Sequence, residues 1–195
     1  MQHRIRTLSA TALAMAFAAS AAPAQDRDPA KKSPPRASAK HYNLDKQKLA
    51  IQGYDPVAYF AEGGGKAQKG SARFTATHAG ATYRFANKQN RERFQKSPSK
   101  YEPAYGGWCA YAMRVGDKVE VDAESFLVQD GRLLLFYNGF WGDTRKSWSR
   151  GDAKAQAEKA DAAWKKISGE AAPQPKRARP KGGAGGDAPP RRGRR

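Results

Sequence analysis

A chain of 195 residues with 39% hydrophobic residues and a formal net charge of +18 has room for one domain plus flanking segments, and is too polar to be packed along its whole length. A single cysteine excludes an intramolecular disulfide, so the folded part must rest on its core or on a bound metal. The charge is uneven: residues 169–195 hold eight basic and two acidic side chains, whereas 49–168 hold nineteen basic and thirteen acidic.

Residues 1–24 read as a secretory signal peptide. Arg4 and Arg6 precede an alanine-rich apolar run, and Ala22-Pro23-Ala24 supplies a small-x-small cleavage pattern with Gln25 as the mature N-terminus. The expectation is an exported, periplasmic protein cleaved after Ala24. Residues 25–43, with Pro29, Pro34 and Pro35, lack apolar periodicity and read as a disordered linker. A folded domain is expected over 44–168, and a disordered basic tail over 169–195.

Inside the domain, Asp55-Pro56 marks a bend in the apolar run 49–60. Gly63-Gly64-Gly65 is a loop without the Lys-Ser/Thr that a phosphate loop needs. Alternating residues on either side of Ala79-Gly80 predict a hairpin over 74–85. Asn87 is placed to cap a helix through Arg91 and Phe94, which Pro98 ends or restarts. A second hairpin is expected around Asp130-Gly131, a pair suited to a type I′ turn. Trp141 and Trp148, seven apart, fit one face of a short helix. Asp152 can cap a final helix whose face carries Ala157, Ala160, Trp164 and Ile167, with Gly169 ending it. The pattern predicts an α+β fold of hairpins packed on short helices.

The stretch with most chemical content is 105–113 (YGGWCAYAM). Gly106 and Gly107 permit a sharp turn before Cys109, and Met113 follows four residues later. A thiolate with a thioether suits soft metals such as monovalent copper. Both residue types are also common core fillers, so the stretch by itself favours packing over ligation. His78 could complete a soft site if its hairpin folded over the Gly-Gly turn. No acid–base constellation can be assembled around Cys109, which argues for a non-enzymatic role. Asp117, Glu120, Asp122 and Glu124 lack a calcium-loop pattern and read as a solvated acidic cluster. The basic tail could hold the chain near an anionic membrane surface. Export argues against nucleic acid as its partner.

Five blocks, 49–60 (LAIQGYDPVAYF), 80–94 (GATYRFANKQNRERF), 98–113 (PSKYEPAYGGWCAYAM), 130–138 (DGRLLLFYN) and 160–164 (ADAAW), appear in the order seen in exported YHS-domain proteins. Over about residues 44–167 the chain resembles that family. The resemblance implies a small α+β domain related to metal-associated YHS/TRASH modules, some of which accompany copper-transporting ATPases. The chain departs from the metal-binding branch at Ala58, Ala86 and, approximately, Asn90, where that branch carries cysteines. The Tyr-His-Ser signature itself reads Tyr83, Arg84 and Asn87. A four-ligand zinc site cannot be rebuilt locally, and Cys109 alone matches the cysteine of the exported subgroup. The expectation is an accessory module linked to copper or another soft metal, with Cys109, Met113 and His78 as ligands. The alternative is a metal-free protein-interaction domain, which would show a buried inert thiol and an exposed aromatic patch.

Overall fold

Turn chemistry sets the sheet structure. Strands β1 (Ser71–His78) and β2 (Ala81–Phe85) pair antiparallel across Ala79-Gly80, both at positive φ (49° and 80°). Strands β3 (Asp122–Gln129) and β4 (Arg132–Phe136) do the same across Asp130-Gly131, at 50° and 72°. Positive φ at both central residues gives the turn a twist that matches its strands. A third, shorter hairpin joins β5 (Asn138–Gly139) to β6 (Gly142–Asp143). The computed structural model of the protein describes residues 39–174. The expected signal peptide, most of the expected linker and residues 175–195 of the tail lie outside the described residues.

Among the described residues, five α-helices pack among the hairpins. Asn87 caps α1 (Lys88–Lys96) by accepting the Asn90 N–H, and Pro98 opens α2 (Pro98–Tyr101). Helix α3 (Ala110–Met113) is one turn long. Asp143 caps α4 (Thr144–Arg150), and Asp152 caps α5 (Ala153–Ser168), which Gly169 ends at φ 77°. The fold is α+β, with two apolar clusters. One gathers Tyr83, Phe85 and Phe94 with Tyr59, Leu133 and Leu135; the other gathers Phe136, Trp148 and Trp164 with Tyr105 and Met113. Strand β4 is buried along its whole length and feeds both.

Two polar knots tie these parts together. Asp55, fully buried, accepts from Val57 N and Ala58 N through Oδ1, and from Ala86 N and Asn90 Nδ2 through Oδ2. Four donors satisfy a carboxylate that would otherwise be costly to bury. Arg132 of β4 reaches Asp161 of α5 with two hydrogen bonds of 2.6 and 3.0 Å. Tyr105 donates to the same carboxylate and accepts from Arg132; burial pushes its hydroxyl well above the usual tyrosine range, keeping it a donor.

The packed body reaches beyond 44–168 at both ends. Trp108 Nε1 donates to His41 O, Asn43 N donates to Gly106 O, and Tyr42 lies 6.2 Å from Trp164. Ala172 is buried in the second cluster. Trp141 does not share a helix face with Trp148. Gly139 and Gly142 close a hairpin around Phe140 and Trp141, and the Asp143 cap starts the helix only at Thr144. Trp148 turns into the core while Trp141 stands in solvent.

Candidate functional site

Cys109 is fixed before its thiol is considered. Residues 103–108 make a tight turn with Tyr105, Gly106 and Gly107 at positive φ (56°, 62° and 89°). Gly106 is required sterically as well, since a Cβ there would lie 2.8 Å from Trp164 Cη2 and 2.9 Å from Tyr42 Cδ1. The turn delivers Cys109 to the start of α3, where its N–H donates to Val119 O and its carbonyl accepts from Met113 N.

The thiol is 0% exposed. Sγ accepts from Tyr137 N at 3.4 Å and lies 3.5 Å from Thr144 Oγ1. Thr144 gives its own hydroxyl hydrogen to Tyr137 O at 2.9 Å, and its backbone N–H donates to the same oxygen. The free arrangement left is S–H donating to Thr144 Oγ1, so Cys109 acts as a donor and an acceptor at once. Tyr137 and Thr144 are the residues immediately before and after the β5–β6 hairpin. The lone cysteine therefore sits under the neck of the third hairpin.

The three residues read from the sequence as metal ligands have separate surroundings. Met113 packs in the second cluster, with Trp148 and Trp164, whereas Cys109 belongs to the first. His78, at the end of β1, has Nε2 2.8 Å from Oε1 of Glu102, a buried carboxylate, and packs edge-on to Phe94. Cys109 and Met113 are joined by the Met113 N–H to Cys109 O hydrogen bond of one helical turn, while His78 is held by Glu102. Among the described residues no three His, Cys, Asp or Glu side chains gather as a metal-binding group. The acidic residues each accept from a different neutral side chain: Glu120 from Asn43, Asp122 from Asn138 and Glu124 from Tyr54.

Above the neck the surface changes character. Phe140 is 89% exposed and Trp141 84%, with ring centroids 4.9 Å apart in an edge-to-face pair. The Tyr137 ring lies beneath, so close to Gly139 that a Cβ would be 2.6 Å from its Oη, and that Oη accepts from Trp141 N at 3.4 Å. A Cβ on Gly142 would meet nothing within 4 Å, so this side of the turn is open. Asp143 anchors the far side. Burial works against its charge, but Ser125 Oγ at 2.7 Å, the Arg145 N–H and the Arg145 guanidinium together hold its carboxyl below the usual aspartate value. Flanking glycines around Phe140-Trp141 are the signal in the sequence that marks this turn.

No protein-family model matches the chain, and no curated protein and no solved structure shows significant similarity to it.

Proposed function

We propose that this chain is a non-enzymatic, exported interaction module of the YHS-like kind, in which Cys109 is a structural residue and the 138–143 hairpin is the recognition element. The observation that carries the reading is the placement of a fully buried, doubly hydrogen-bonded thiol directly under the neck of a turn that exposes two large aromatic rings. A buried thiol with both roles filled behaves as a small core residue. Exposed aromatic pairs, by contrast, cost solubility and mark interaction sites. A copper-handling role would require Cys109 to lose its proton, and with it the S–H bond to Thr144, and to bring a second donor to a buried sulfur.

Copper(I) titration against a competing chelator, with wild type and Cys109→Ala, separates the two roles. Equal, weak copper affinity in both supports the interaction module. Tight binding that disappears in Cys109→Ala supports the soft-metal role instead.

A further inference from the structure

We infer that the Phe140–Trp141 turn inserts into the interface of an anionic lipid bilayer, a partner assignment that rests on the interaction-module reading. Size argues first. Two aromatic side chains offer about 300–500 Å², short of the roughly 800 Å² per partner that a stable protein interface buries. A bilayer needs no such area, because a projecting tip enters it from all sides. Trp141 is also chemically suited: its ring is apolar and its indole N–H can stay with the headgroups.

Charge chooses the kind of surface. Helix α4 begins two residues after the turn and reads Thr-Arg-Lys-Ser-Trp-Ser-Arg, with three basic residues and no acidic one. Lys146 and Arg150 are exposed on it. Of the carboxylates bonded to this hairpin, Asp143 is paired with Arg145, and Asp122, bonded by the neutral Asn138, stands against the two exposed cations Lys146 and Arg150. The whole chain carries +18, so a second copy is repelled at long range while an anionic surface is attracted. Shallow aromatic insertion combined with basic attraction supplies the two signals that lasting peripheral attachment needs.

The test mixes the full chain with vesicles of phosphatidylcholine, alone or with phosphatidylglycerol, and measures flotation and tryptophan quenching by acyl-brominated lipid. Wild type should float with the phosphatidylglycerol vesicles and be quenched, and Trp141→Phe should float but lose most of the quenching. Phe140→Ala/Trp141→Ala should weaken partitioning by about tenfold or more, from the apolar area withdrawn, with an unchanged melting curve. Lys146→Glu/Arg150→Glu should weaken it on phosphatidylglycerol vesicles. Equal flotation of wild type and the aromatic double variant would overturn the inference, since adsorption would then be by charge alone. So would a wild type that ignores vesicles but forms an aromatic-dependent oligomer or protein complex. Copper titration of the same samples keeps the two claims apart: a Cys109-dependent copper site would refute the interaction module whatever the vesicles do, and vesicle failure with an inert thiol would refute only the lipid assignment.

Discussion

Residues 105–113 and 138–143 meet at one point and have opposite characters. The first holds the cysteine, a methionine and a Gly-Gly turn, and buries both sulfurs completely. The second holds no group with distinctive reactivity, yet carries the most exposed aromatic residues among those described. They meet through Tyr137, the residue before the second region, whose N–H donates to Cys109 Sγ. Residue type suggested chemistry in the first region; its burial and hydrogen bonding support the proposed structural role. Accessibility, not reactivity, singles out the second.

If the buried region carries stability and the exposed one does not, substitutions should divide accordingly. Gly106→Ala should cost most. It forces a Cβ onto a left-handed backbone and into Trp164 and Tyr42, a combined penalty of about 2–4 kcal/mol in urea unfolding. A neutral result would mean that the turn is looser than its contacts imply. Cys109→Ala should cost about 1–3 kcal/mol, because the Tyr137 N–H loses its buried acceptor. A cost near zero would break the link between thiol and neck.

Acid should act next. Asp143 at the neck lies below its ordinary value of 3.8. Glu62 lies below 4.5: burial opposes its charge, but Lys100, a backbone N–H and Tyr101 outweigh it. A carboxylate depressed in the folded state stabilises above its unfolded value and loses that contribution as pH falls through the folded one. Melting temperature should therefore hold steady with respect to these groups above about pH 5 and drop on acidification below it. Asp143→Asn should shallow the drop; an unchanged acid profile would show that Asp143 is not held as described. The smallest effect belongs to the exposed turn. Phe140→Ala/Trp141→Ala should shift stability by no more than about 0.5 kcal/mol. A larger loss would show that the rings pack on the body rather than stand free of it.

What the sequence made legible was local. Asp130-Gly131, Ala79-Gly80, Asn87 and Asp152 each encode a turn or cap within a few residues, and the structure has a turn or cap at each. Trp141 misled because a seven-residue spacing to Trp148 fits a helix, while the glycines on either side of Phe140-Trp141 define a hairpin. The rest depends on partners far apart in the chain. Cys109 meets Tyr137 and Thr144 across 28 and 35 residues, Asp55 meets Asn90 across 35, and Arg132 meets Asp161 across 29. No periodicity carries that information. Residue type could nominate Cys109 and Met113, but only tertiary packing could send them into separate clusters.

The central claim, that Cys109 is a closed structural thiol, is tested most directly by the rate at which native protein reacts with a thiol reagent, with and without copper(I). A structural thiol should react only as the fold opens. Its rate should rise with denaturant in step with unfolding and be indifferent to copper. Prompt labelling of the native protein that copper(I) suppresses would contradict the account and return Cys109 to the role of a metal ligand.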